Sequence, residues 1–285
     1  MIQRVTNVER FYRSCLPVLT VVFFVIGSFP KQVFAHEPVF SIGPETIFEG
    51  GWGIETEFEF DDAGDGKTST LHYEILYGLT KDLSLTLEIP QVLRSREGHM
   101  TEDGLGDIML RGKYQLFRRD TLGAQDKISA ILGIKFPTGD EDAKPRLGTG
   151  TTDFLFGLSA GHESRTWYRF ATLRYFLRTK HDGFGPGDKI FYDVTIGYRP
   201  WRREYLQWDL VGLLEMSGEY EFSSELGGKT VRNSGGNTIW LGPSLLFSYR
   251  NIMVKGGIQM PVYQQLKGNQ ENNDFRMVFA IEYHF

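Results

Sequence analysis

FRMVFAIEYHF, residues 275–285, alternates without a break. Phe275, Met277, Phe279, Ile281, Tyr283 and Phe285 occupy one phase, and Arg276, Val278, Ala280, Glu282 and His284 the other. Successive side chains of an extended strand point to opposite faces, so one face is wholly apolar and the other carries charge. A slip of one residue would bury the charges, which pins the register.

The same period of two recurs through the chain. Leu71, Tyr73, Ile75 and Tyr77 alternate with His72 and Glu74, and Leu83, Leu85, Leu87 and Ile89 with Ser84, Thr86 and Glu88. Further runs cover 108–117, 128–136, 154–161, 167–177, 190–198, 206–216, 239–249 and 252–262, and an opening run lies near 52–60. Together they predict about twelve strands, with the 3.6-residue helical period absent. A soluble barrel would turn its apolar side chains inward, but eight strands already have an interior filled by side chains. Twelve strands carry more Phe, Tyr, Leu and Ile than a closed interior holds, so lipid is their expected solvent. The reading is all-β: a single antiparallel transmembrane β-barrel of about twelve strands, with the charged phase facing a wet lumen.

The connections support this. Short ones fall near 80–82, 164–166, 200–204 and 250–251, and long polar ones near 61–67, 94–103, 138–150, 180–187, 219–237 and 264–273. Residues 119–125 fall on the short side yet number seven. Short turns at one rim, long loops at the other and both chain ends on the short-turn side are the pattern of an outer-membrane barrel. Tyr77, Trp167, Tyr198, Trp201, Tyr205, Trp208, Tyr249, Tyr283 and Phe285 gather beside the short turns, as an interfacial girdle requires.

Residues 1–35 stand apart. Arg4, Arg10 and Arg13 precede an apolar run at 16–29, followed by Pro30 and by Val33-Phe34-Ala35, which reads as a secretory signal cleaved near Ala35. The mature product, residues 36–285, would be the barrel, with a short N-terminal segment able to enter the lumen. Cleavage removes four cations (Arg4, Arg10, Arg13, Lys31) and Glu9 from totals of 31 and 36, leaving 27 basic against 35 acidic residues. Nucleic acid is therefore not an expected partner. Cleavage also removes Cys15, the single cysteine, which excludes disulfides, thiol catalysis and cysteine metal sites.

Two resemblances add to this reading. Tyr283-His284-Phe285 at the end of an alternating strand resembles the C-terminal signature by which outer-membrane proteins are recognised for insertion, implying the barrel-assembly machinery as a partner beside membrane lipid. GLGDIMLRGKYQLF (104–117), GIKFPTGD (133–140) and LGPSLLFSYRNIMVKGGIQMPVYQ (241–264) are similar to the MetA-pathway of phenol degradation family of outer-membrane transporters. That resemblance implies passage of small organic molecules; residues 37–67 look less typical of it.

LEIP (87–90), IKFP (134–137), LEMS (214–217) and IQMP (258–261) echo one another on strands rising toward the long loops. Their polar members Glu88, Lys135, Glu215 and Gln259 share a phase and an offset from a Pro or Ser. Either the motif ends strands, because Pro lacks a ladder donor, or the four form a mixed-charge constriction under the mouth. Glu74, Arg111, Lys113, Asp193, Lys255 and Arg276 are the other lumen-facing candidates, while Phe279 and Ile281 should meet lipid.

Catalytic constellations are weak. His72 faces inward with Glu74, His162 lies by a short turn, and His99 and His181 sit in loops, none in a recognisable triad. Residues 61–66, DDAGDG, lack the spaced ligands of a calcium loop, and Gly104-Leu105-Gly106-Asp107 is too short to cradle phosphate. No catalysis, metal or cofactor is expected. The reading is an outer-membrane channel or transporter for passive passage of small organic molecules, aromatic compounds among them; a barrel enzyme and a sealed structural barrel are the rivals.

Overall fold

The computed structural model describes residues 37–201 and 207–285. The expected leader, the processing site at Ala35, and Tyr205 and Leu206 lie outside them. Among the described residues there is no helix and there are sixteen strands: β1 (Trp52–Ala63), β2 (Gly66–Gly78), β3 (Leu83–Glu97), β4 (Met100–Leu105), β5 (Met109–Thr121), β6 (Ala124–Lys135), β7 (Asp153–Ser164), β8 (Trp167–Leu177), β9 (Phe184–Gly185), β10 (Lys189–Tyr198), β11 (Asp209–Glu221), β12 (Glu225–Leu226), β13 (Lys229–Thr230), β14 (Gly236–Tyr249), β15 (Ile252–Leu266) and β16 (Phe275–His284).

Twelve of these close into an antiparallel barrel in the order β1-β2-β3-β5-β6-β7-β8-β10-β11-β14-β15-β16. The first and last strands meet in register from Gly53↔His284 to Asp62↔Phe275, and Trp52 and Phe285 exchange backbone hydrogen bonds of 3.0 and 2.9 Å at the seam. Closure matters because lipid offers no partner to an unpaired strand edge. Four short strands lie outside the barrel wall. β4 continues the β3 ladder as a projecting hairpin, while β9, β12 and β13 form a small sheet from two loops.

The faces are inverted relative to a soluble protein. On β14 the residues Leu241, Leu245, Phe247 and Tyr249 are exposed, and Trp240, Ser244, Leu246 and Ser248 between them are buried. Leu245 is 58% exposed and its neighbour Ser244 3%, so the apolar phase covers the outside of the wall. Phe279 and Ile281 are likewise exposed and Ala280 fully buried. Aromatic pairs ring the short-turn rim: Trp52–Tyr77 at 4.5 Å, Trp167–Tyr198 at 5.0 Å, Trp201–Trp208 at 5.9 Å and Tyr283–Phe285 at 5.9 Å. Phe60–Phe275 and Tyr220–Phe222 do so at the other rim.

Several expected loops are strand. β1 and β2 stay paired to Ala63↔Gly66, so 61–67 is a hairpin with only Gly64 and Asp65 unpaired. β5 and β6 pair to Thr121↔Ala124, which reduces the seven-residue exception at 119–125 to Leu122-Gly123, with Gly123 at φ +81°, a conformation open to glycine. Polarity misled here, because strand ends beyond the apolar belt meet water on both faces. Proline misled too: β3 runs through Pro90 and β15 through Pro261. Pro90 sits where β3 changes partner from β5 to β4, and Pro261 lies beyond Gln259↔Arg276, the last β15–β16 pair, so neither removes a ladder bond.

Candidate functional site

Residues 37–48 lie inside the barrel. From the short-turn rim, where the Gly78 N–H donates to the Gly51 carbonyl and the Gly51 N–H to that of Phe48, the segment runs inward against the wall. Ser129 Oγ donates to the Pro44 carbonyl at 2.5 Å, and Ser159 Oγ and Thr172 Oγ1 each donate to the Ile42 carbonyl at 2.9 Å. The backbone N–H groups of Val39 and Phe40 donate to the two Glu215 oxygens at 3.1 and 3.2 Å. Lys127 pairs with Glu45 and Lys113 with Glu37. A non-helical backbone inside a membrane protein needs such partners, and the small hydroxyls of the lumen face supply them.

Above this segment lies a chamber of about 520 Å³, with Glu37, Val39, Phe40 and Ile42 in its floor. Its charge is divided by strand. Glu55, Glu57 and Glu59 on β1, Glu74 on β2 and Glu88 on β3 make one wall, and Arg111 and Lys113 on β5, Lys135 on β6, Arg174 on β8 and Lys189 on β10 the facing arc. The walls join where β3 meets β5: Arg111 Nη2 is 2.5 Å from Glu74 and 3.6 Å from Glu88, and His72 bridges Glu59 and Glu88 at 3.1 Å each. Lys255 sits 2.9 Å from Glu55. Opposed charge across a cavity with low-dielectric walls makes a transverse field.

The structure divides the four constriction candidates. Glu88 and Lys135 stand in register through Met109 and both line the chamber, Lys135 at 2.5 Å from Asp153 and 3.1 Å from Asp107. Glu215, which accepts from the segment's Val39 and Phe40, and Gln259 are both buried and touch each other, Gln259 Nε2 donating to the Glu215 carbonyl at 3.0 Å. Glu88 and Lys135 therefore line the chamber and Glu215 and Gln259 do not: a shared sequence offset does not fix what a side chain meets inside a closed barrel. Glu74, Arg111, Lys113, Lys255 and Arg276 line the chamber, whereas Asp193 is buried against Arg174 at 2.8 Å. Tyr283 and Phe285 flank the closing seam.

The chamber continues into a mouth cavity of about 600 Å³, with Glu59, His72 and Arg178 lining both. Loop 138–150 folds into this mouth and is held by Asp107. The Gly139 N–H donates to Asp107 Oδ1 at 3.0 Å, and the Thr149 N–H and hydroxyl to Oδ2 at 2.8 and 2.9 Å. Burial opposes ionisation of Asp107. The Thr149 and Gly139 N–H groups, the Lys135 charge and the Thr149 hydroxyl outweigh it and hold the carboxyl below the usual aspartate range.

Sequence reasoning missed Glu55, Glu57 and Glu59 as a ladder. The signal was present as Glu-x-Glu-x-Glu at strand period, hidden by counting 52–60 only as an opening strand. It also missed Arg178, which lies after β8, and Asp107, because a loop clamp has no period.

Residues 80–270 match the family model described as "Putative MetA-pathway of phenol degradation". No curated protein matches the sequence. In structure the chain is similar to the COG4313 outer membrane channel from Pseudomonas putida F1, with a TM-score of 0.73 at 12% identity over 88% of this chain and 100% of that one. The NanC porin aligns with a TM-score of 0.49 at 8% identity over 81% and 98%, and the beta domain of the Bordetella autotransporter BrkA with 0.48 at 12% over 82% and 98%. With the family model spanning most of the chain and the wall a closed twelve-strand barrel of the outer-membrane kind, this chain belongs to the MetA-pathway of phenol degradation family.

Proposed function

We propose that the protein is a narrow outer-membrane channel for the passive passage of small organic molecules, aromatic compounds among them. The observation that carries this is the pair of communicating cavities inside a closed barrel, bounded below by residues 37–48. About 520 Å³ is the scale of a small-ligand site and far from an open sixteen-strand pore. Phe176 and Phe191 face this chamber beside Lys135 and Arg174, which suits solutes with a ring and a polar group. In this reading the leader is removed after Ala35, His36 begins the mature chain, Tyr283 and Phe285 serve insertion by the assembly machinery, and no reaction is catalysed.

The test is flux. Purified protein in liposomes is assayed for ion conductance and for uptake of phenol and benzoate without an energy source, with amino-terminal sequencing of the membrane-fraction protein. Uptake above empty liposomes supports the reading. The sealed-barrel reading draws on the dense hydrogen bonding of residues 37–48, and absence of flux in every assay would favour it.

A further inference from the structure

Arg276 differs from the other basic side chains of the chamber. Arg111, Lys113, Lys135, Arg174, Arg178, Lys189 and Lys255 each have a carboxylate partner. Arg276 has no such pair among the described residues. Its Nε and Nη2 both donate to the neutral Oε1 of Gln259, at 3.0 and 2.7 Å. Asp61 is its cross-strand neighbour on β1, yet no ion pair joins them. Gln259 is fully buried and its own Nε2 is tied to the Glu215 carbonyl and to Ser217 Oγ at 3.3 Å, so its oxygen is a fixed acceptor. It orients the guanidinium, whose charge reaches Glu59, Asp61, Asp193 and Glu219 only at a distance and not as a direct pair, and it leaves N–H donors of the fork uncommitted.

Two rings accompany that charge. The Trp240 ring centroid lies 4.7 Å and the Phe40 centroid 5.4 Å from the guanidinium carbon. Trp240 is wall and Phe40 belongs to the intruding segment. A Cβ on Gly257 would stand 2.7 Å from Phe40 Cε2, so the absence of a side chain there makes the seat for that ring. Both Arg276 and Phe40 line the chamber.

We propose that Arg276, with Phe40 and Trp240 beside it, is an anion-binding anchor in the chamber and that its ligand is a small aromatic carboxylate. The planar carboxylate matches the guanidinium fork, and the ligand ring extends the aromatic contacts that Phe40 and Trp240 already make. This rests on the channel reading, since it names the solute class that pauses inside.

Isothermal titration of benzoate and of benzyl alcohol into the refolded barrel tests it, with Arg276→Gln, Arg276→Lys and Phe40→Leu as variants. Heat-modifiable gel mobility checks that each variant is folded. Benzoate should bind the wild type more tightly than benzyl alcohol, weaken roughly tenfold or more in Arg276→Gln, and recover only in part in Arg276→Lys because the fork is lost. Phe40→Leu should weaken benzoate while leaving acetate unchanged. Equal binding of benzoate by wild type and a folded Arg276→Gln, no preference over benzyl alcohol, or no benzoate binding at all would overturn the proposal. Potassium chloride conductance of the same preparations separates the two readings. Conductance without benzoate binding removes the anchor alone, and binding without conductance removes the channel alone.

Discussion

Glu215 shows how one side chain organises the lumen. It is 1% exposed and has no ion pair among the described residues; its acceptor sites take the Val39 and Phe40 N–H groups, the Thr195 hydroxyl at 3.3 Å and the Ser244 hydroxyl. Hydrogen bonds to a charged group contribute about 1.5 to 3 kcal/mol each. Glu215→Ala should therefore release residues 37–42 and raise single-channel conductance, with Glu215→Gln intermediate because one oxygen remains. Unchanged conductance in Glu215→Ala would mean that the segment is held elsewhere. The Lys127–Glu45 pair is also buried, and breaking it from one side leaves an uncompensated charge at a cost of about 3 to 5 kcal/mol. Lys127→Met should accordingly speed hydrogen exchange of residues 42–47, and the double variant Lys127→Met with Glu45→Gln should restore much of the protection.

At the scale of elements, loop 138–150 and the outer face of β16 respond to different solvents. The loop is clamped by ionised Asp107, whose carboxyl titrates below its ordinary value of about 3.9. A depressed carboxylate contributes its stability fully above the ordinary aspartate range and loses it as pH falls through the folded value. The loop should thus stay docked at neutral pH and loosen only below about pH 4, read as increased hydrogen exchange of 139–149. Asp107→Asn should show looser docking at neutral pH and little further change on acidification. On β16, Phe279 faces outward at 51% exposure, and arginine there near the bilayer midplane costs about 2 to 4 kcal/mol. Phe279→Arg should lower the urea midpoint of the barrel in liposomes, while Lys113→Ala on the lumen side should change ion preference with a smaller stability effect. The reverse ranking would invert the assigned faces.

For the whole molecule, the segment that enters the barrel decides how wide the path is. It fills the short-turn half and leaves the chamber above it, so removing residues 37–45 should join chamber to rim and raise conductance severalfold. An unchanged conductance would show that the mouth loops, not the floor, limit passage. The legibility of this arrangement was uneven. Strand positions and faces were readable because one phase meets lipid and the other water, and residues 277–282 alternate exposed and buried one by one. The lumen site was readable only as a set of inward charges.

The alternation at period two, together with the aromatic residues at the short turns, is enough to determine strand number, wall orientation and the outer-membrane type of barrel, because those follow from local side-chain direction and solvent. Which charges oppose which is not local. Glu55, Glu57 and Glu59 face Lys135 and Arg174 only because the barrel closes β1 on β16 and carries β6 and β8 round to the other side. Glu215 likewise meets its backbone donors only because residues 37–48 fold back into the barrel, with Val39 176 positions away in sequence. Ring closure and chain re-entry bring together residues far apart in sequence, and only the tertiary structure decides such contacts.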